Sequence, residues 1–436
     1  MAEARSTGAK AAAEKLFFTL ARAHVAFHKP LVIAVAGSIG KTSTKLALRE
    51  LLRTEKRVSC MDDSYNNGLG LYLSVFELKV PTNTTPIAWL GLVFKALWRL
   101  VTRNPQILIV EYGIDHPGDM DEMTQFIRPD ISLLTAVTPE HMEYMKTLDG
   151  VGEEEIKVIR AAKQFGIINT VDVDAKYRKD VATTWCGYGD EARENNKGFF
   201  TVKEFTATGA IVDFSLDDLR LNEITVKIIS LPLIRQLTGA ALLARKLGMS
   251  EESLRKALEA IEPASGRMRL LAGVNDAVLL DDTANFSPVA GVAALQALKR
   301  IPGKRHIAIL GNMHELGDYI ASGYAAVGEE FEGIDVLLLV GELSKEHFGN
   351  IATEKGFVEG STLFVFDSAP EAGIFARDKL VTHGDIVVIK GPFGGFYLEE
   401  ATKKLLKNKE DSKLLTRQSE FWQRKKRAQF GELLDR

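Results

Sequence analysis

The chain has 436 residues, enough for two or three domains that each bury a core. Hydrophobic residues make up 46% and charged residues 26%, as in ordinary globular proteins, and the net charge of -3 gives no indication of a nucleic-acid partner. The two cysteines, Cys60 and Cys186, exclude a disulfide framework and a cysteine zinc site, and they fit a reducing cytoplasm.

The N-terminal segment, residues 1–29, predicts a helix. Apolar residues recur at helical spacing over Ala9–Phe27, and Pro30 ends the pattern. The first fifteen residues are charged and lack the apolar core of a signal peptide. No stretch of the chain is apolar over the length that a bilayer requires.

A phosphate-binding loop is predicted next. Leu31–Val35 has the pattern of a buried strand, the turn GSIG follows, and a helical pattern begins at Lys41. The backbone N–H groups of such a loop, the helix dipole and the lysine attract phosphate, while Thr42 would bind Mg²⁺. The loop has the short form G-x-x-G-K-T, because Val35 stands where the longer P-loop pattern has glycine. The strand before it and the helix after it favour nucleoside triphosphate binding over an ordinary strand-to-helix turn.

An unusually apolar helix is predicted within Thr82–Arg103. Its core sequence, IAWLGLVFKALWRLV, carries only Lys95 and Arg99 as charges, four positions apart on one face. Burial on most sides is the leading interpretation of this segment. A helix that docks on a membrane surface or on a partner protein is the alternative.

The following segments predict that a doubly wound α/β domain occupies residues 30–262. Apolar strands at Ile107–Val110, Ile131–Leu134 and Gly166–Thr170 end in polar loops, and a helix is predicted over Val151–Phe165. This alternation is typical of a parallel sheet that binds its ligand at the carboxyl ends of the strands. The strand-like alternation of Phe199–Ile229 predicts an antiparallel subsheet on the same domain.

A smaller Rossmann-like domain is predicted over residues 263–406. Its strands alternate with helices, and it lacks the G-x-G-x-x-G pattern of a dinucleotide site. Residues 407–436 predict a basic amphipathic tail, since the stretch from Thr402 to Arg436 has eleven Lys or Arg against five Asp or Glu.

Four more motifs follow the GSIGKTST loop in a fixed order. They are NNGLG (Asn66–Gly70), EYGIDHPGD (Glu111–Asp119), DDTANFSP (Asp281–Pro288) and LGNMHELG (Leu310–Gly317). In this order and spacing the chain resembles the Mur ligase family, ATP-dependent amide-forming ligases of peptidoglycan-precursor synthesis. The resemblance runs from about Val32 to Leu406 and is greatest to the branch (MurF type) that adds D-alanyl-D-alanine to a UDP-N-acetylmuramoyl-tripeptide.

The resemblance implies a reaction in which ATP, with Mg²⁺, activates a carboxylate as an acyl-phosphate and an amine displaces the phosphate. The implied catalytic residues are Lys41, Glu111, His141, Glu155 and Arg267. Those implied to bind ATP are Gly37, Ser38, Ile39, Gly40, Lys41, Thr42, Ser43, Gln236, Arg267 and Asp282. The implied metal ligands are Thr42, Glu111 and His141, and the implied substrate-binding residues are Asn66, Asn67 and Asn285. Because part of this set belongs to the last domain, the resemblance also implies domain closure.

The sequence departs from the family pattern at several positions. Only about thirty residues precede the P-loop strand, so we expect no N-terminal UDP-binding domain, and a separate substrate-binding protein is one way to replace it. The position of the family's carbamylated lysine falls on Glu155, which we expect to supply the carboxylate directly; a helix shift that makes Lys157 the modified residue is the alternative. Gln236 stands in an altered adenine-binding segment. Changes at Ala284 and Asn312 fall where the amine substrate would be recognised.

The sequence therefore predicts a cytoplasmic carboxylate–amine ligase that acts on a small-molecule acid and on an amino acid or dipeptide. Two alternatives stay open. One is a ligase of the same superfamily with a folate or poly-glutamate acceptor. The other is a nucleotide-binding scaffold without ligase activity, against which Lys41, Thr42 and Glu111 argue, together with His141 and Arg267.

Overall fold

The computed structural model describes residues 2–62, 68–80, 85–140, 142–193, 195–314 and 316–436. Within them the chain forms two compact units. The first comprises Met1–Thr201, Asp213–Ile224 and Arg235–Ile261, and the second comprises Val202–Val212, Thr225–Ile234 and Glu262–Arg436. The division of the chain into domains at residues 29/30, 262/263 and 406/407 stays a prediction.

The strands belong to two sheets. The first sheet contains β1 (Leu31–Ala36), β2 (Val58–Cys60), β3 (Ile107–Glu111), β4 (Ile131–Leu134), β5 (Phe165–Asn169), β6 (Trp185–Tyr188), β7 (Asn196–Thr206), β8 (Gly209–Leu216) and β9 (Leu219–Val226). The second contains β10 (Arg269–Ala272), β11 (Val278–Asp282), β12 (Arg305–Leu310), β13 (Val336–Val340), β14 (Leu363–Phe366) and β15 (Asp385–Lys390).

The α-helices lie between and around these strands. Those up to residue 261 are α1 (Ala2–His28), α2 (Lys41–Arg53), α3 (Gly68–Ser74), α4 (Pro86–Thr102), α5 (Asp119–Phe126), α6 (Met142–Met145), α7 (Leu148–Glu155), α8 (Lys157–Ala161), α9 (Ala175–Arg178), α10 (Leu231–Lys246) and α11 (Glu251–Ala260). Those that follow are α12 (Pro288–Arg300), α13 (Ile320–Gly328), α14 (Gly349–Glu354), α15 (Ala369–Phe375), α16 (Glu399–Leu405) and α17 (Glu420–Phe430).

The first sheet is doubly wound, as its sequence predicts. Its strand order is β2-β3-β1-β4-β5-β6-β7-β8-β9, and the pairs from β2 to β6 are parallel. Strands β3 and β4 are buried along their whole length, which explains their continuous apolar sequences. Because β1 lies between β3 and β4, the winding reverses at β1. In such sheets ligands bind beyond the carboxyl end of the strand at that position.

The far edge of the first sheet consists of hairpins. Two-residue turns connect β7 to β8 and β8 to β9, and connections this short join antiparallel strands. This confirms the antiparallel subsheet that the alternating sequence predicts. The sequence did not reveal β6, a four-residue strand without strong alternation.

The second sheet has the order β10-β11-β15-β12-β13-β14. All its pairs are parallel except β10 with β11, and apolar clusters cover both faces. This confirms a second α/β fold, although the short antiparallel β10 was not predicted.

The helix predicted over Val151–Phe165 is confirmed up to Ala161 and wrong over its last four residues. Helix α7 ends at Glu155, a short α8 follows, and Ala162 adopts an extended conformation. Phe165 already belongs to β5, where it pairs with Ile131. The helical spacing of apolar residues therefore continues past the end of the helix into β5. The start of that strand is set by pairing with β4 and cannot be recognised from local periodicity.

The prediction that α4 is buried on most sides is also wrong. Its inner face packs through Leu92 and Ala96, while six large apolar side chains on the other face are exposed. None of the helices in the described part of the chain has the length and apolar character needed to cross a bilayer. In the basic tail, α17 is a helix in which Lys426 is fully buried.

Candidate active site

The loop between β1 and α2 requires glycine at both ends. Gly37 has φ 127° and Gly40 has φ 86°, values that side-chain-bearing residues rarely adopt. A Cβ atom on Gly37 would lie 2.2 Å from Thr135 Oγ1, and one on Gly40 would lie 1.9 Å from Gln236 Nε2. Both glycines are therefore needed for backbone conformation and for close packing.

The segment that follows β4 holds this loop in place. The Ser38 N–H donates to the Ala136 carbonyl at 2.9 Å, and the Thr138 N–H donates to Ser38 Oγ at 3.0 Å. Thr135 Oγ1 donates to the Ile39 carbonyl at 2.6 Å. Three hydrogen bonds thus join the loop to the segment at the end of the neighbouring strand.

Lys41 opens helix α2 and folds back over the loop. Its Nζ atom donates to the Gly37 carbonyl at 2.6 Å and to the Ser38 carbonyl at 3.2 Å. Together with the positive end of the α2 dipole, this ammonium would attract an anion to the loop. Ser43, the third residue of α2, lies in the same first turn and is half-buried.

The end of β3 meets the first turns of α2. Thr42 Oγ1 donates to Glu111 Oε1 at 3.1 Å, and Lys45 Nζ lies 2.9 Å from Glu111 Oε2. The Lys45 and Glu111 side chains are both buried, so their ion pair is shielded from water. The structure therefore brings Thr42 and Glu111 together, as the magnesium-site prediction requires.

Glu155 is fully buried beside the loop. It lines a cavity of about 10 Å³, room for one water-sized sphere, together with Ser38, Lys41 and Glu140. Burial raises the pKa of Glu155 to about 8, and the charge of Glu140 adds to this increase. The charge of Lys41 opposes the increase. The carboxyl oxygens of Glu155 make no hydrogen bond in the described structure.

Gln236 and Arg235 connect helix α10 to the same loop region. Gln236 is buried against Gly40, and its Oε1 atom has no hydrogen-bond partner among the described residues. Arg235 donates to Asp190 through two nitrogens at 2.6 Å each and to Asp172 at 2.6 Å. Burial opposes its charge, but the two aspartates raise the pKa of Arg235 above its ordinary value. This buried guanidinium fixes the start of α10.

In the second unit, consecutive aspartates end β11. Asp281 accepts hydrogen bonds from the Gly266 N–H at 3.0 Å and from two threonine hydroxyls. Burial raises the pKa of Asp281 to about 6. Asp282 pairs with Lys390 at 2.8 Å, and both side chains are buried. Asp282 also accepts a hydrogen bond from the Met268 N–H at 3.2 Å. Both aspartates therefore bind the backbone that precedes β10, and Asp282 carries an ion pair as well.

The other predicted residues of the second unit lie close to this pair. Lys390 Nζ donates to the Asn285 carbonyl at 2.5 Å, and its own pKa is lowered by burial. Arg267 is half-buried and close enough to Lys390 to lower that pKa further. Within the second unit, Arg267, Asp282 and Asn285 thus form one local group around Lys390.

Three predicted residues, His141, Asn66 and Asn67, lie outside the described residues. Among the residues that are described, no cluster of three or more His, Cys, Asp or Glu side chains is arranged to hold a metal ion.

Sequence reasoning did not foresee the contacts of three side chains that organise these groups. Lys45 follows Lys41 by one helical turn on the buried face of α2, and that spacing could have identified it. Arg235 precedes Gln236 in an otherwise apolar segment, which is a signal for a paired buried charge. Lys390 ends β15 beside β11, a relation that only the strand order reveals.

The fold and the loop geometry define a class of protein. A parallel sheet whose first strand enters a helix through a glycine loop, with Lys and Thr at the helix start, is the arrangement of P-loop nucleotide-binding proteins. The second α/β unit adds its own group of charged residues.

Comparison with known proteins gives the family. The Mur ligase middle domain matches residues 35–234, and the Mur ligase glutamate ligase domain matches residues 266–393. Together they span about three quarters of the sequence. The chain belongs to the Mur ligase family.

Individual relatives agree with this assignment. The UDP-N-acetylmuramoyl-tripeptide–D-alanyl-D-alanine ligase of Bacillus subtilis is 24% identical over 412 residues, which cover 89% of this chain and 79% of that protein. MurF from Acinetobacter baumannii has a similar structure, with a TM-score of 0.73 and 20% identity over 91% of this chain and 80% of that one. MurF from Thermotoga maritima in complex with ADP has a TM-score of 0.72 and 22% identity, over 90% of this chain and 83% of that one.

Proposed function

We propose that this protein is an ADP-forming carboxylate–amine ligase of the MurF type that acts in peptidoglycan-precursor synthesis. The γ-phosphoryl group of ATP would pass to a carboxylate oxygen of the acid substrate and release ADP. The amine would then attack the acyl carbon, form the amide and release phosphate. The observation that carries the proposal is the contact of Thr42 with Glu111 beside the Lys41 loop.

The residues present fit a nucleoside triphosphate. The glycine loop leaves no space for a Cβ atom at either end, as expected where backbone must approach phosphate closely. Lys41 already lies over the loop, where its charge would offset that of the β- and γ-phosphates. Gln236 would contribute from α10 through its unpartnered oxygen.

The residues also fit a magnesium ion. A threonine hydroxyl and a carboxylate are the oxygen ligands that Mg²⁺ prefers, and those of Thr42 and Glu111 lie 3.1 Å apart. We assign His141 as a further ligand on the strength of the family motif. When bound, the ion would supply positive charge that stabilises the phosphates during transfer.

Glu155 is the candidate for the carboxylate that other members of the family obtain by carbamylating a lysine. It is fully buried beside Lys41 and lines the loop cavity. The alternative residue, Lys157, has its Nζ atom paired with Asp121 at 2.6 Å and with Glu154 at 2.7 Å. Glu155 is therefore the better candidate, and the ligase would need no CO₂.

We assign the residues of the second unit to later contacts. Arg267 would bind the γ-phosphate, Asp282 the ribose and Asn285 the incoming amine. Lys390 supports this role because it bonds both Asp282 and the Asn285 backbone. Closure of the domains would bring these groups to the bound nucleotide. We further propose that the protein acts in the cytoplasm.

A phosphate-release assay tests the proposal. The protein is mixed with ATP and Mg²⁺, together with UDP-N-acetylmuramoyl-tripeptide and D-alanyl-D-alanine, and ADP and phosphate are measured. We expect release only when both the acid and the amine are present. Lys41→Ala should abolish release, whereas Arg53→Ala, on the exposed side of the same helix, should leave it unchanged.

Other outcomes would redirect the assignment. Release with a folate or poly-glutamyl acid and glutamate, but not with the UDP-linked acid, would identify the superfamily alternative. ATP binding without release for any acid–amine pair would identify a nucleotide-binding scaffold. Dependence of the rate on added bicarbonate would assign the carboxylate to Lys157 instead of Glu155.

A further inference from the structure

Helix α4 presents an apolar face to solvent. Six large side chains at helical spacing form this outer face, which comprises Ile87, Leu90, Phe94, Leu97, Trp98 and Val101, exposed by 83%, 57%, 64%, 43%, 72% and 72%. A helix on the surface of a globular protein ordinarily has polar residues on the side that faces water. A continuous exposed apolar stripe of this length marks a surface that binds something.

The outer face does not follow from the packing of α4 on its own unit. The opposite side of the helix is the one that contacts the core, through buried Leu92 and Ala96 and partly buried Trp89, Val93 and Leu100. The hydrophobic requirement of the fold is thus already met. The six outer side chains contribute nothing to that core. They would gain favourable free energy only if another apolar surface removed them from water.

Helix α1 packs beside α4. The rings of Phe17 and Trp89 lie 6.3 Å apart, and His28 Nε2 lies 2.7 Å from the Leu100 carbonyl. Since eleven residues separate the two contacts in each helix, α1 and α4 run side by side in the same direction. Phe27, near the end of α1, is 71% exposed. Two neighbouring helices therefore offer apolar side chains to solvent.

The exposed charges nearest this surface are mostly positive. Helix α4 contains Lys95 and Arg99 and has no acidic residue. Arg99 donates to the Phe76 and Glu77 carbonyls, and Arg103, which follows the helix, is paired with Glu77, so Lys95 is the cation that α4 leaves to solvent. Over residues 13–29, α1 and the residue after it carry Lys15, Arg22 and Lys29 against a single Glu14. Exposed Lys95 lies at the border of the apolar stripe. A surface of this composition is complementary to anionic lipid headgroups, with Trp98 at the depth where indole rings favour the bilayer interface.

We infer that α4 and the end of α1 form a membrane-surface binding site, which lies in the headgroup region of an anionic phospholipid bilayer. The seventeen-residue helix would lie in the interface plane, with its outer face among the acyl-chain ends and Lys95 at the phosphates. This association with the bilayer would be non-covalent and reversible. It would keep the enzyme at the bilayer surface.

Co-sedimentation of the full chain with vesicles tests this inference. One vesicle set contains equal parts phosphatidylglycerol and phosphatidylcholine, and the other contains phosphatidylcholine alone. We expect the protein to sediment with the anionic vesicles and to be released by added salt. Phe94→Asn with Trp98→Gln should weaken binding by at least about tenfold, because two anchoring side chains are lost.

Two controls separate the apolar face from general effects. Val358→Asn replaces an exposed apolar residue of the second unit, 59% exposed, and should leave vesicle binding unchanged. Trp98→Phe keeps the apolar contact, so sedimentation should persist while the blue shift of tryptophan fluorescence on vesicle addition is reduced. Unchanged thermal unfolding of each variant shows that the fold is intact.

Two results would overturn the inference. The first is wild-type protein that stays in the supernatant with both vesicle sets. The second is a mass in solution that rises with concentration and returns to the monomer value in the Phe94→Asn, Trp98→Gln variant, without vesicle binding. That result would make the outer face an interface between two copies of the chain.

Discussion

Gly37 is the residue at which conformation and packing restrict the phosphate loop most tightly. Alanine at a backbone position with positive φ costs roughly 1–2 kcal/mol of stability. We predict that Gly37→Ala destabilises the protein by more than this, because its Cβ atom would also lie 2.2 Å from Thr135 Oγ1 and 2.7 Å from the Ala136 nitrogen. Gly118→Ala is the matched control, since Gly118 also has positive φ but has no atom within 4 Å of its Cβ position. Denaturant unfolding of both variants measures the difference. Equal losses would mean that the loop has room to move.

Glu155 predicts a pH dependence. Its pKa is raised from 4.5 to about 8 in the folded protein, so between these values the unfolded chain binds fewer protons than the folded one. The contribution of Glu155 to stability therefore falls as the pH rises from 4.5 through about 8. Glu155→Gln should remove this fall. The melting temperature of the variant relative to that of the wild type should therefore rise as the pH increases. Thermal unfolding at a series of pH values, without nucleotide, measures the gain.

Lys41 provides the check on that assignment. Its charge opposes the raised pKa of Glu155, so in Lys41→Ala the fall in stability should still begin near pH 4.5 but extend to higher pH than in the wild type. A melting-temperature difference between Glu155→Gln and wild type that is constant with pH would contradict the prediction.

Part of the candidate site could be predicted from the sequence. Gly37, Lys41 and Thr42 are close together in one motif, so their proximity in the structure follows from the local sequence. The partners of Glu111 and Glu155 are not local, because Lys45 meets Glu111 across a helix–strand contact and Glu140 meets Glu155 across a cavity.

At the scale of elements, buried ion pairs fix the C-terminal tail. Arg417 donates to Glu399 at 2.9 and 2.6 Å and to the Thr283 carbonyl at 2.6 Å. Lys426 lies 2.7 Å from Glu399 and 2.8 Å from Glu400, and all four charged side chains are buried. The tail thereby supports the segment that follows β11, in which Asn285 lies.

We predict that Arg417→Ala lowers the free energy of unfolding by about 3 kcal/mol, the lower end of the loss for a broken buried pair, since Glu399 keeps Lys426. Denaturant unfolding measures it. The control is Arg427→Ala, which removes an exposed pair with Asp435 and should change stability little. A loss no larger than that of the control would show that the tail is not held by this network.

Helix α4 illustrates what an element pattern leaves open. Its sequence is apolar nearly all round, and the usual reason for such a pattern is burial on all sides. The apolar pattern of a helix shows which of its faces are apolar. It does not show which faces are covered by another segment, because the covering segments can be distant in sequence.

For the whole molecule, ligand binding and stability are coupled. A ligand that binds only the folded protein stabilises it by mass action, by about 2.7 kcal/mol at one hundred times its dissociation constant. We predict that ATP with Mg²⁺ raises the melting temperature of the wild type and of Glu155→Gln. It should not raise that of Lys41→Ala, which lacks the charge that attracts the phosphates.

Differential scanning calorimetry at a range of ATP concentrations measures this effect, and Arg53→Ala serves as the control. A rise in the Lys41→Ala variant equal to that of the wild type would remove the loop from nucleotide binding.

Both α/β folds, the antiparallel hairpins, the phosphate loop and the family were predictable from sequence, because strand and helix periodicity, glycine positions and motif order can be read along the chain. The burial of Glu155 beside Lys41, the pairing of Lys45 with Glu111 and the apolar face that α4 exposes to water became visible only in the folded protein. Burial and charge pairing depend on which distant segments meet, and the pKa of Glu155 and the exposure of Trp98 follow from those meetings.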